Sequence, residues 1–158
     1  MKVKHILSAF LGLALLSSSC ESLDYTRPDQ LSDKTFWKTE LHAKQAAVGL
    51  YQAMMQPWCF GLEFAFDMCT DLADGTSPFA DISRGTSFAS TSGAVQNHWQ
   101  YLYELIHRSN TVIRNVSAMD IDQSKIDPII GEAKFLRAMT YFRMLNCWGG
   151  VPYYDLSL

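Results

Sequence analysis

The sequence predicts an all-α protein, and three observations predict it. Apolar residues recur at three- and four-residue steps through several segments, which is helical spacing. No segment sustains the period-two alternation of a half-buried strand. The aromatic-rich stretch Gly131–Asp155 runs straight into Gly149-Gly150-Val151-Pro152, a helix with its stop signal written out, since glycine takes the left-handed terminal conformation and proline bars continuation. Small residues such as Ala133 and Ala138 let helices approach closely, which points to a tetratricopeptide-like α-solenoid or helical bundle, although no strict 34-residue repeat is visible.

Four helices are expected. The first runs from Thr39 to Gln56, with Thr39 as N-cap, Pro57 as stop, and Leu41, Ala47, Val48, Leu50, Tyr51, Met54 and Met55 as its apolar positions. A shorter one covers Phe60–Leu72 and ends at Asp74-Gly75. The third spans Gly93–Ala118, where Val95, Trp99, Leu102, Ile106, Ile113 and Val116 form one stripe facing a core. The fourth begins near Ser124 or Asp127, with Asp127 as N-cap before Pro128, and ends at Trp148. Apolar residues cover more than half of its circumference, so it is expected to be buried on two sides.

The N-terminus reads as an address. Lys2 and Lys4 precede the uncharged stretch Ile6–Leu16, and Ser17, Ser18 and Ser19 lead to Cys20, the layout of a secretory signal. The apolar stretch is too short for a helix to cross a bilayer, which takes ~20 residues. The pattern resembles a bacterial lipoprotein signal, which implies cleavage before Cys20 and acylation of that residue, although Ser17 and Leu16 depart from the usual spacing. Several acyl chains anchor a protein stably without a membrane span. The domain reading is therefore a signal peptide at 1–19, a lipidated N-terminus and tether at 20–34, and one helical domain at 35–158.

Loss of residues 1–19 removes two lysines, leaving 11 basic against 16 acidic residues and a formal charge near −5. That balance gives no footprint for nucleic acid and disfavours adsorption to an anionic membrane face. A composition of 48% hydrophobic and 18% charged residues is that of a packed core. Beyond Cys20, the cysteines Cys59, Cys69 and Cys147 are odd in number, so a complete disulfide framework is excluded; three buried thiols are favoured over a Cys59–Cys69 pair.

Four stretches, CESLD after the signal, AVGLYQAM, HWQYLYELIHRSNTVI and GEAKFLRAMTYFRMLNCWGGVPYYD, together resemble the SusD/RagB family of outer-membrane nutrient-uptake lipoproteins. Arg137-Ala138, Tyr141-Phe142 and Gly149–Pro152 carry the specific motif. The resemblance covers the mature chain but only the N-terminal third or less of a usual member, so the chain is expected to be truncated at its C-terminal end. It implies the N-terminal portion of a SusD-like fold, anchored through Cys20 in the outer membrane and facing the cell exterior. It also implies capture of oligosaccharide or polysaccharide and delivery to a SusC-like TonB-dependent transporter, with hydrolysis left to partner enzymes. Glu21 and Asp24 match thinly the acidic residues associated with surface export.

Sugar recognition needs flat aromatic faces and planar polar groups. The loop Asp74–Ser92 is the best local candidate, because a poorly periodic segment of that length inside a helical domain is uncommon and is often functional. Phe79 is expected to stack on a sugar, with Asp81 and Arg84 hydrogen-bonding its hydroxyls; the alternative is that Phe79 and Phe88 pin the loop to the helices. Trp99, Tyr101 and Tyr103 could form a platform, but Trp99 lies on the apolar stripe and reads as core. Trp148, Tyr153 and Tyr154 flank the helix stop and are expected to pin the following segment.

Catalysis finds little to stand on. Asp67, Asp71 and Asp74 read as a polar helix face with a C-terminal turn acid rather than a glycosidase pair, and His42, His98 and His107 lack zinc-binding spacing. Neither a metal nor a cofactor is expected. The Asn115-Val116-Ser117 sequon lies mid-helix in a bacterial-type protein and is disregarded. The competing functional class is a helical-repeat envelope lipoprotein that acts only as a protein–protein scaffold.

Overall fold

The computed structural model describes residues 33–61, 63–75, 79–86 and 92–155. The signal at 1–19, Cys20, the tether as far as Ser32, and Phe88 lie outside the described residues. In chain order the elements are α1 (Asp33–Phe36), α2 (Glu40–Met54), a π-helical turn (Pro57–Gly61), a 3₁₀ helix (Glu63–Cys69), α3 (Ala80–Ser83), α4 (Gly93–Ser117) and α5 (Gln123–Trp148), with no strand among the described residues. The all-α expectation holds.

Each long helix starts on a side-chain cap, because the first backbone N–H groups have no partner inside the helix. The Thr39 hydroxyl accepts from the His42 N–H at 3.2 Å, and the Ser92 hydroxyl from the Val95 N–H at 3.4 Å. For α5 the cap is Asp122, whose Oδ1 accepts from the Ser124 N–H at 3.0 Å and the Ser124 hydroxyl at 2.9 Å. The expected cap, Asp127, instead lies inside the helix, and Pro128 is in its second turn. Proline there forfeits one backbone hydrogen bond close to the helix start, where Asp122 has already fixed the entry.

The segment Phe60–Leu72 is not the α-helix expected. The N–H groups of Cys59 and Gly61 both donate to the Gln56 carbonyl, at 2.9 and 3.0 Å, which closes a wide turn directly after α2. A Cβ on Gly61 would overlap the Met55 carbonyl oxygen, so only glycine fits this approach. After it the backbone tightens into the 3₁₀ helix. Asp67 lies on that helix while Asp71 and Asp74 lie beyond it, so the expected Asp67–Asp71 helix face does not form.

Three helices then pack up, down and up. His98 near the start of α4 stacks on Trp148 at the end of α5, and Asn110 meets Arg137 midway, so α4 and α5 are antiparallel. Glu40 reaches Lys125 at 3.1 Å and the Tyr51 hydroxyl donates to Glu132 at 3.4 Å, which sets α2 alongside α5. Alanines at Ala43, Ala47 and Ala133 line the contact and permit close approach, whereas Ala138 faces solvent. Leu50, Leu102, Leu105, Ile106, Ile126 and Leu136 fill the core, each buried aliphatic side chain stabilising by roughly 1.5–3 kcal/mol relative to exposure. Two buried hydroxyls are satisfied locally, Ser109 on the Leu105 carbonyl at 2.8 Å and Thr140 on the Leu136 carbonyl at 2.7 Å.

The expected apolar faces are only partly used. On α2, Leu41, Val48 and Tyr51 are exposed, as is Met55 at its C-cap, and the buried row is Ala43, Ala47 and Leu50. On α5 one side is buried, from Ile126 through Ala133 to Met144, while Phe135, Phe142 and Leu145 on the other side are exposed by half or more. Two-sided burial of α5 does not occur within the described residues.

Candidate functional site

The end of α5 is held by a clasp of side chains. Gly149 turns the chain at φ 74°, its N–H donating to the Leu145 carbonyl at 2.9 Å, and residues 151–155 form a strap without regular secondary structure. A strap of this kind leaves its carbonyls unpaired unless side chains reach them. Tyr103 donates to the Pro152 carbonyl at 2.8 Å. Tyr141 donates to the Tyr154 carbonyl at 3.1 Å and accepts from the Tyr154 N–H at 2.7 Å. Asn110 donates to that same carbonyl at 3.2 Å while Arg137 holds its amide oxygen at 2.6 Å. The Arg137, Tyr141 and Gly149–Pro152 signature is thus a fastening device, and Tyr153 and Tyr154 pin the segment as expected, Tyr153 against Tyr141 and Tyr154 against Tyr103.

The clasp creates a groove of about 550 Å³ between α4 and the strap. Ile106, buried, lies on its wall, and Trp99, Tyr103 and Tyr154 supply aromatic surface. Polar groups converge on the same space: Gln100, His107 and Arg114 are exposed, and Asn110, Thr111 and Asp155 are half-buried. Aromatic surface bordered by amide, imidazole and guanidinium groups can hold the apolar face of a sugar ring and bond its hydroxyls. Trp99 also touches the core, edge-on to Trp148 at 5.2 Å and tilted against Tyr103 at 4.9 Å, so the core reading and a lining role coexist. Gln100, His107, Asn110, Thr111 and Arg114 were missed as a set, although their three- and four-residue spacing beside the apolar stripe of α4 is legible.

The loop candidates separate. Phe79 is only 3% exposed and packs against Trp58 at 5.6 Å and Phe66 at 5.4 Å, in a second, smaller core with Ala65 and Ala94. Its packing there is the alternative expected of it, and its remaining surface lines a cavity shared with Phe66, Cys69 and Trp148. Asp81 and Arg84 are exposed on and beside α3. The Arg84 guanidinium pairs with the Asp74 carboxylate, donates to the Gly75 carbonyl at 2.8 Å, and lies 3.8 Å from Asp81. The Gly75 N–H, and then Arg84, hold the Asp74 carboxyl below its ordinary range.

His98 bridges the two cores. Its Nδ1 lies 2.6 Å from the Trp58 carbonyl, which can only accept, so Nδ1 carries the proton and the neutral ring keeps its lone pair on Nε2. Burial pushes its pKa down. The expectation of three buried thiols holds for Cys59 alone: burial pushes that thiol up to about 12, while Cys69 is half-buried and Cys147 exposed. Among the described residues no group of three histidines, cysteines or carboxylates could hold a metal ion, and no helix is long and apolar enough to cross a membrane.

The sequence is similar to that of known proteins. SusD-like protein P25 of Formosa agariphila is 29% identical across 100% of the chain, and SusD-like protein P38 of the same organism is 30% identical across 96%. SusD-like protein P2, also of that organism, is 26% identical across 94%. The chain spans about a third of the length of these curated relatives, covering 32%, 31% and 31% of them. No solved structure matches it. The model of a SusD-like family described as "starch-binding associating with outer membrane" matches residues 21–157. With that match extending over nearly all of its length, the chain belongs to the SusD-like family.

Proposed function

We propose that this chain is the N-terminal part of a surface lipoprotein that captures oligosaccharide and hands it to a SusC-like TonB-dependent transporter, without acting on the glycan chemically. Cys20 carries the lipid anchor in the outer membrane, and the helical domain faces the cell exterior. The observation that carries the reading is the groove beside the clasp, where Trp99, Tyr103 and Tyr154 meet Gln100, His107 and Arg114 in a chain of glycan-associated family. Sugars bound by several weak, solvent-bordered contacts are released readily, which suits a protein that delivers rather than stores. Asp81 and Arg84 add a second exposed polar contact at α3, with Phe79 holding that helix in place.

Affinity electrophoresis of the full-length protein through gels containing starch and other polysaccharides tests this. Gln100→Ala with Arg114→Ala is expected to weaken retardation several-fold in the gel that retards the parent, and Asp81→Ala with Arg84→Ala to weaken it less. Both pairs are exposed, so the fold is retained. Retardation that survives both pairs unchanged would remove this part of the protein from the binding site.

A further inference from the structure

We propose that Cys69 and Cys147 form a disulfide that staples the 3₁₀ helix to the end of α5, a pairing that rests on the export reading for its oxidising surroundings. The placement of the three thiols selects it. Cys59 lies in the bundle core, where its thiol donates to the Tyr101 carbonyl at 3.8 Å, while Cys69 packs against the smaller aromatic core. The Cys59–Cys69 alternative thus draws its two sulfurs from different cores. Cys69 and Cys147, by contrast, both line one cavity of about 330 Å³ beside Phe66, His98 and Trp148.

The segments that carry them are already clamped in register. Glu63, Phe66 and Cys69 follow one another at three-residue steps and so share a face of a 3₁₀ helix. Arg143 and Cys147 are four apart and share a face of α5. Between these faces, Arg143 donates to Glu63 at 2.5 Å, and its guanidinium lies 4.6 Å from the centre of the Phe66 ring. The thiols lie further along the same two faces, one step past Phe66 on the 3₁₀ helix and one step past Arg143 on α5. Burial raises the pKa of both thiols, and ionisation of Cys147 raises that of Cys69 further.

Cys147, the exposed member, is the entry point. Its thiolate attacks one sulfur of a small-molecule disulfide or an exported dithiol–disulfide oxidoreductase, releasing one thiol and forming a mixed disulfide. The Cys69 thiolate then attacks the Cys147 sulfur and releases the second thiol. Two protons and two electrons have left the protein, and the oxidant departs as a dithiol or two thiols.

The test uses the folded full chain with Cys20→Ser, exposed to oxidised glutathione, quenched with an alkylating agent, and read by intact mass and peptide mapping after cleavage at Glu63, which separates Cys59 from Cys69. The expected product is two hydrogens lighter, with Cys69 joined to Cys147 and Cys59 alkylated only after unfolding. A Cys59–Cys69 link, glutathione persisting on Cys147, or both thiols recovered alkylated would each overturn the pairing. The same map on protein from the cell envelope separates the two readings: a link formed with glutathione but absent there overturns export into oxidising surroundings and leaves the pairing standing.

Discussion

The helical bundle and the aromatic core beside it are stabilised in different ways. In the bundle, aliphatic side chains at helical spacing fill the space among α2, α4 and α5, and each helix presents one continuous row. In the smaller core, Trp58, Phe66 and Phe79 arrive from a π-helical turn, a 3₁₀ helix and a loop, and their positions depend on irregular backbone. His98 ties one region to the other through the Trp58 carbonyl. In the periodic region every core contact supports the same scaffold, so a truncation there is felt by all three helices. An aperiodic one relies on a few large rings.

The largest effect expected from breaking this contrast is in the bundle. Leu102 is fully buried, so Leu102→Ala is expected to cost about 4 kcal/mol in urea unfolding. Phe79→Ala should cost about 3 kcal/mol, read as faster hydrogen exchange confined to residues 63–86. Equal loss of protection in α4 and α5 would instead make the two regions one cooperative unit.

The smallest effect is a pH dependence at their junction. His98 has an ordinary value of 6.5, which burial lowers in the folded chain. Below pH 6.5 the unfolded chain therefore binds a proton that the folded chain refuses, and stability falls with pH until the folded value is passed. The urea midpoint should decline over that interval and be level above it, and His98→Gln should flatten the decline. A slope that the substitution leaves unaltered would assign the acid sensitivity to other groups.

The same contrast explains what was legible in the sequence. Helix α4 is expected from Gly93 to Ala118 and found from Gly93 to Ser117, because its apolar stripe and polar face are out of phase and its ends carry caps. Of the two starts expected for α5, Ser124 lies one residue inside the observed start at Gln123, whereas Asp127-Pro128 imitates a helix start that Asp122 has already provided. Phe60–Leu72 sets Glu63, Asp67 and Asp71 at four-residue steps among apolar residues and so imitates an α-helix, whereas the close approach that Gly61 permits sends the backbone into a wider and then a tighter turn. Phe79 stands among small residues such as Pro78 and Ala80, which leave its ring free to stack or to pack, and Trp58 and Phe66, distant in sequence, determine its burial. Half of the groove was legible as a stripe on α4. The other half, the strap, depends on hydrogen bonds that span 13 to 49 residues and have no local signature.

The five residues from Ala118 to Asp122 that join α4 to α5 also bear on the order of assembly. A loop of ten residues closes in about 10–100 ns, so a shorter one places few limits on the meeting of the two longest helices. Their pairing therefore costs little loop entropy. Tyr103 and Asn110 come from one arm of that hairpin and Arg137 and Tyr141 from the other. The fastening of the strap therefore follows hairpin closure, and the groove is among the last features to form.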